Sequence, residues 1–342
     1  MSEAVTPQKT ARLQSLIRSA ANIAVVTHTH PDGDALGSAT AMASYLGEVC
    51  GKKATVFLAN EAPDTISFIL EDITPVVCDN SPAGCASQLS ACDLVICLDF
   101  NSFSRTDSLE PLLRECTAPK VLIDHHIGPD TACFDLVISE TEISSASELL
   151  FQVLMATDPI AGNASRLPGR CARALMSGMT TDTNNFANSV FPSTLLMASQ
   201  LLEAGVDRDA IVARIYNRYR PNRVAAISAL LHEHMTIRPD GVAFIVVTKA
   251  LWQQFGLREG ELEGMVNIPL TIDNVNFSIY LREDDGHFRV SIRSKRGYSA
   301  NLLARRLFHG GGHEQAAGGK LYFPQDIAEP SLAAQYLNNI EV

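Results

Sequence analysis

Two imidazoles and two carboxylates fall within residues 28–34, in the stretch Thr27-His28-Thr29-His30-Pro31-Asp32-Gly33-Asp34. An apolar run at 23–26 precedes this stretch, and an apolar helical periodicity over 35–49 follows it. The stretch therefore reads as a turn between a strand and a helix. Pro31 and Gly33 shape that turn, and Pro31 removes a backbone donor. The spacing His28-x-x-x-Asp32-x-Asp34 can aim one imidazole and one carboxylate at one point and the second carboxylate at a neighbouring point. Hard divalent cations take such oxygens with an occasional imidazole. The competing structural use is a polar turn with Asp34 as a helix N-cap. His30 is out of phase with the pattern and reads as structural.

The same chemistry recurs at the ends of other apolar runs. Residues 93–98 run into Asp99, and 121–123 run into Asp124-His125-His126. Helical patterns fill the intervals, at 7–20, 35–49, 63–70, 144–156, 171–180 and 192–204, and Asp182 follows the fifth of these. Further strands are expected at 54–58 and 134–138. Unbroken apolar strands alternating with helices indicate a parallel, doubly wound sheet covered on both faces. Such sheets bind ligands in the crevice beyond the C-terminal ends of their strands.

Residues 206–234 are helical and more polar, with Arg214, Arg218, Arg220 and Arg223, and read as a connector with a solvated face. His232 and His234 read as surface residues. Strands at 242–248, 275–281 and 288–292 follow, the last two joined across Asp284-Asp285-Gly286. A helix at 299–308 leads to Gly310-Gly311-Gly312-His313 and then Ala316-Ala317-Gly318-Gly319, and a terminal helix covers about 328–338. Period two places Arg289, Ser291, Arg293 and Lys295 on one face. The triple glycine lets backbone amides approach a phosphate, and His313 adds a donor. The lone Trp252 reads as a packing residue. The expected organisation is α/β: a metal-binding domain at 1–205, a helical connector at 206–234, and a smaller α/β domain with a mixed sheet at 235–342.

The chain has 342 residues, 46% of them hydrophobic, and a net charge of −11. A protein that grips a long duplex through phosphates shows a basic face, which this balance disfavours. No apolar run approaches the ~20 residues of a membrane helix, and the first residues form no apolar leader. The eight cysteines form no C-x-x-C pair, so neither a disulfide framework nor a thiolate zinc site is expected. The expected location is a reducing cytoplasm.

Taken in order, His28-x-x-x-Asp32-x-Asp34, Asp99, Asp124-His125-His126, Asp182 and Gly310-Gly311-Gly312-His313 resemble the motifs of the DHH phosphoesterase superfamily. The C-terminal part resembles the DHH-associated domain, and motif order and size resemble the oligoribonuclease (nanoRNase) and pAp-phosphatase branch. The resemblance implies a hydrolase with two divalent ions, manganese first and magnesium as the substitute. It implies His28 and Asp32 on one ion, Asp34, His125 and Asp182 on the other, and Asp99 on both. Two such ions ~3.5–4 Å apart suit a bridging hydroxide that attacks a phosphoester. His126 would face the substrate phosphate, and Asp124 would orient His125. Arg293, Gly311, Gly312 and His313 would hold the substrate, with Arg105 placed to reach it.

The expected activity is exoribonuclease hydrolysis of short RNA to mononucleotides, of pAp to AMP, or both, with the second domain closing over the cleft as a ruler. The alternatives are a cyclic-dinucleotide phosphodiesterase, a manganese inorganic pyrophosphatase, and a nucleotide-binding sensor without catalysis. The connector helices give a homodimer a place to form. One departure is Phe100, where a small residue is expected after the aspartate; its bulk would alter the pocket wall.

Overall fold

The apolar runs of the first half form one six-stranded sheet. Its strands are β1 (Asn22–Val26), β2 (Lys53–Leu58), β3 (Val76–Val77), β4 (Leu94–Leu98), β5 (Lys120–Asp124) and β6 (Leu136–Ser139). All are parallel, in the order β3-β2-β1-β4-β5-β6. Alternate residues enter two cores: Ile23, Val25, Ile96 and Leu98 on one face, Ala24, Val26, Val95 and Cys97 on the other. That double burial is why these strands read as continuous apolar runs rather than as alternating ones. Helices α1 (Pro7–Ser19) and α2 (Gly33–Ser44) cover the first face. The short helices α3 (Pro82–Ser90) and α4 (Glu110–Glu115) cover the second. Helices α5 (Ala146–Met155), α6 (Gly169–Asp182) and α7 (Pro192–Glu203) pack on the first face again.

Two details of this unit position the site. The strand order reverses at the β1–β4 pair, which opens a crevice at their C-terminal ends. Helices α2 and α6 also meet almost backbone to backbone. A Cβ on Gly37 would lie 2.7 Å from the Ala174 carbonyl oxygen and 2.8 Å from Gly178 Cα. Glycine at 37 is thus what lets the start of α2, with Asp34, approach the helix that ends at Asp182.

The computed structural model describes residues 2–342 and divides into two compact units, the first ending at Arg218 and the second running from Tyr219 to Val342. The stretch expected to be one connector is two helices. Helix α8 (Arg208–Tyr216) belongs to the first unit and α9 (Pro221–Glu233) to the second, with Pro221 at the first helical position. Two of its arginines are engaged: Arg214 lies 4.1 Å from the Phe68 ring centroid, and Arg220 is bidentate on Glu261 at 2.6 and 2.7 Å.

The second unit is a mixed sheet of β7 (Met235–Ile237), β8 (Val242–Val247), β9 (Phe277–Glu283), β10 (His287–Ser294), β11 (Gly311–Gly312) and β12 (Ala316–Tyr322). Its order is β11-β12-β10-β9-β8-β7, and only the β8–β9 pair is parallel. Residues of α9 and of α10 (Lys249–Gln254) fill one face. Residues of α11 (Ala300–Leu307) and α12 (Ala333–Asn339) fill the other. Trp252 packs at the edge of the first of these cores, with the Arg282 guanidinium 4.3 Å from its ring centroid. All eight cysteines are free thiols. Among the described residues no helix is long and apolar enough to cross a membrane.

Candidate metal-binding active site

The residues that follow β1, β4 and β5 converge with the last residue of α6. His28 follows β1 and is 7% exposed. Its Nδ1 lies 2.8 Å from the Thr29 carbonyl oxygen and donates to it, so Nε2 is the nitrogen that can serve a cation once its own proton leaves. Nε2 faces Asp99 Oδ2 at 3.5 Å and Asp32 Oδ1 at 3.8 Å. Asp32, not Asp34, is the N-cap of α2: its Oδ1 accepts the Asp34 and Ala35 amides at 3.0 Å each. Asp34 is thereby released from capping and turned inward, where it is 1% exposed.

A second grouping forms beside the first. His125 Nε2 lies 3.3 Å from Asp99 Oδ1, 3.6 Å from Asp182 Oδ2 and 3.9 Å from Asp34 Oδ2. Asp99 therefore turns one oxygen to each grouping. Its backbone takes a left-handed φ of 64°, a conformation that aspartate tolerates better than most residues. His126 turns the other way. Its Nδ1 meets Asp124 Oδ1 at 2.8 Å, and its amide donates to Asp124 Oδ2 at 3.2 Å. Asp124 thus holds His126, where the sequence leads one to expect it to orient His125.

The electrostatics follow from crowding these charges out of water. Burial opposes the charged form of His28, but Asp32 and Asp99 outweigh it and raise its pKa to about 10. Burial likewise opposes charge on His125, and Asp99, Asp182 and Asp34 raise it to about 10. Asp34 is pushed well above the usual carboxylate range by burial and by the charges of Asp99 and Asp182. Burial would also raise Asp99, yet the imidazoles of His125 and His28 hold it well below that range. His126 is lowered by burial, with the Arg105 guanidinium adding to the effect and Asp124 opposing it.

The donor set fits divalent cations. Ligand atoms of His28, Asp32 and Asp99 lie within 4.8 Å of one another, as do those of Asp34, Asp99 and His125. Asp99 Oδ1 is buried and accepts no hydrogen bond, although two imidazole nitrogens stand within 3.7 Å. A buried carboxylate oxygen left unbonded amid convergent donors is what an absent cation would leave.

The remaining sequence-derived site residues, Arg293, Gly311, Gly312 and His313, belong to the second unit. There Arg293 pairs in register with Ala316, and the amide of His313 donates to the Ala316 carbonyl at 2.8 Å. A Cβ on Gly310 would lie 1.9 Å from the Gly318 carbonyl oxygen, so packing alone demands that glycine, whereas Gly311 has room. Arg289 is paired with Asp284 at 2.9 Å. Lys295 lies outside β10, and its Nζ caps the Ile272 and Asp273 carbonyls. Phe100 is fully buried against the core that holds Cys97 and Phe103, so its bulk goes inward and not to the pocket wall. His30 is exposed, takes a left-handed φ of 50°, and is absent from the ligand groupings.

The support of Asp34 is not visible in the sequence pattern of its own turn. Its two oxygens accept the amides of Ala146 at 2.6 Å and Ser147 at 2.9 Å, the first residues of α5. The capping pattern Ser145-x-x-Glu148 is the one signal that could have pointed to it.

Comparison with known proteins shows the family. Residues 22–179 match the DHH family, N-terminal domain, and residues 241–334 match the DHHA1 domain. The chain is 30% identical to a probable bifunctional oligoribonuclease and PAP phosphatase NrnA of Streptococcus mutans, across 95% of this chain and 96% of that one. It is 26% identical to the bifunctional oligoribonuclease and PAP phosphatase NrnA of Bacillus subtilis, across 86% and 88% respectively. Among solved structures, an exopolyphosphatase-related protein from Bacteroides fragilis superposes with a TM-score of 0.87 at 31% identity, covering 98% of this chain and 97% of that one.

Proposed function

The chain belongs to the DHH family of phosphoesterases, and from that premise we propose that it hydrolyses short oligoribonucleotides to mononucleotides and pAp to AMP. Two divalent cations, with Mn²⁺ as the first choice, would be held by His28, Asp32 and Asp99 on one side and Asp34, Asp99, His125 and Asp182 on the other. When bound, such ions supply Lewis acidity to a phosphoryl oxygen and make a nucleophile available from water at neutral pH. The observation that carries this reading is the division of Asp99, with Oδ2 turned to His28 and Oδ1 to His125.

The chain's own groups do the rest. Asp124 holds the Nδ1–H of His126, so His126 meets substrate through Nε2. Its lowered pKa keeps that ring neutral at physiological pH, able to accept a proton or a hydrogen bond. Arg105 adds positive charge beside it for a phosphate. Arg293, the amides of Gly311 and Gly312, and His313 contribute further phosphate contacts from the second unit. The net charge of −11 disfavours long nucleic acids, which restricts the substrate to short ones.

The test is turnover of pAp, of 5′-phosphorylated RNA from two to twenty-four nucleotides, of cyclic di-AMP and of pyrophosphate, with Mn²⁺ and with chelator. Mn²⁺-dependent release of mononucleotides from the shortest RNAs, and of phosphate from pAp, is expected. Equal rates on the longest RNA, or hydrolysis of pyrophosphate alone, would overturn the reading.

A further inference from the structure

Glu148 is a fully buried carboxylate, and among the described residues no salt bridge compensates it. Its Oε2 takes three donors: the Ser144 hydroxyl at 2.5 Å, the Ser144 amide at 3.2 Å and the Thr194 hydroxyl at 2.7 Å. Its Oε1 takes Gln152 Nε2 at 3.4 Å. Burying a carboxyl group is costly unless it is hydrogen-bonded, and the catalytic steps above make no use of this one.

The donors show what the carboxylate holds. Ser145 is the N-cap of α5, and its hydroxyl accepts the Glu148 amide at 3.0 Å. In an ordinary capping box the glutamate would reach back to the N-cap amide. Here it reaches one residue further, to Ser144, and across to Thr194 in the first turn of α7. Thr194 in turn accepts the Phe191 amide at 3.0 Å. One carboxylate thus ties the entry to α5 to the entry to α7. Between those ties stand the amides of Ala146 and Ser147, which grip both oxygens of Asp34. The far side is closed by α6: a Cβ on Gly178 would lie 2.1 Å from Ser147 Oγ and 2.9 Å from Asp34 Oδ1.

We infer that Glu148 is a positioning residue for the metal site, acting through the first turn of α5 to hold the Asp34 carboxylate in its ligating orientation before a cation arrives. The inference rests on the metal-binding reading of Asp34. Partners of this kind typically change metal affinity by about 10–100-fold when removed. A residue that only stabilises the fold has no such effect.

The experiment titrates Mn²⁺ alone into the full chain by calorimetry, with Glu148→Gln, Thr194→Val and each of these combined with Asp34→Ala. Glu148→Gln should weaken Mn²⁺ binding about 10-fold or more, and Thr194→Val by a smaller factor. Hydrogen exchange at the Ala146 and Ser147 amides should rise in both. Turnover should recover at saturating Mn²⁺. In the Asp34→Ala background, the same substitutions should leave the residual Mn²⁺ affinity unchanged within about 2-fold, because the path runs through Asp34. Wild-type Mn²⁺ affinity in both single variants would overturn the inference, and so would an equal loss with and without Asp34. Should Glu148→Gln fail to fold, Thr194→Val decides. A wild-type protein that binds Mn²⁺ but hydrolyses none of the nucleotide panel would refute the substrate reading and leave this inference standing.

Discussion

Asp99 Oδ1 lies 3.3 Å from His125 Nε2 and accepts no hydrogen bond. The two groups face one another at the junction of two ligand groupings. The buried donors of both groupings thus suit divalent cations.

Proton linkage follows. His28 and His125 are both raised to about 10 while their carboxylate neighbours hold them as imidazolium. Their contribution to the stability of the metal-free protein is complete below pH 6.5 and is lost as pH rises through 10. A cation must displace those protons, so Mn²⁺ affinity should rise with pH. Calorimetry at about pH 7.5 in buffers of different ionisation enthalpy should find about two protons released per loaded molecule. Binding independent of pH between about 6 and 8 would contradict this.

Asp124→Asn should leave Mn²⁺ binding intact and lower kcat by about 100-fold. The asparagine can donate to His126 Nδ1 and so favours the wrong tautomer, as happens when a histidine-orienting carboxylate is neutralised. Steady-state kinetics at saturating Mn²⁺, beside a metal titration, checks both halves of the expectation.

Gly37→Ala should destabilise the protein by about 1–3 kcal/mol through overpacking, since its Cβ would lie 2.7 Å from the Ala174 carbonyl oxygen. Gly47→Ala, with nothing within 4 Å of the added carbon, should be neutral or stabilising by up to about 1 kcal/mol. Denaturant unfolding of both variants measures the difference.

Arg293→Ala should raise KM for short RNA by about 10–100-fold, the value of a charge-assisted contact to phosphate, while Mn²⁺ affinity stays unchanged. Initial-rate kinetics on a 5′-phosphorylated dinucleotide provides the measurement.

The sheet, and the acidic and histidine residues it gathers at its C-terminal edge, are legible in the amino-acid sequence. The apolar runs ending at Asp99 and Asp124 announce a parallel sheet, because burial on both faces removes the alternation of an exposed strand. What stays hidden depends on tertiary direction. The sequence offers Asp34 as the cap, yet Asp32 caps α2 and the packing of α2 on α6 sends Asp34 inward. Asp124 precedes both His125 and His126, and its bond to His126 Nδ1 depends on the chain's path after β5. The two-residue strands β3 and β11 are too short to carry a period. The break between α8 and α9 is marked by Pro221 but masked by the arginines around it. Glu148 looks like one polar residue on an apolar helix, and its role emerges only once α5 meets Asp34 and α7.

The sharpest measurement is the Mn²⁺ stoichiometry of the wild-type chain beside Asp99→Asn. Asparagine tolerates the left-handed backbone that Asp99 adopts at φ 64°, so the substitution alters one oxygen and little else. A site built around Asp99 requires two Mn²⁺ per wild-type chain, at most one bound tightly by Asp99→Asn, and a fall in dinucleotide hydrolysis of at least about 100-fold in the variant. Two tightly bound Mn²⁺ in Asp99→Asn, or a single ion in the active wild type, would contradict it.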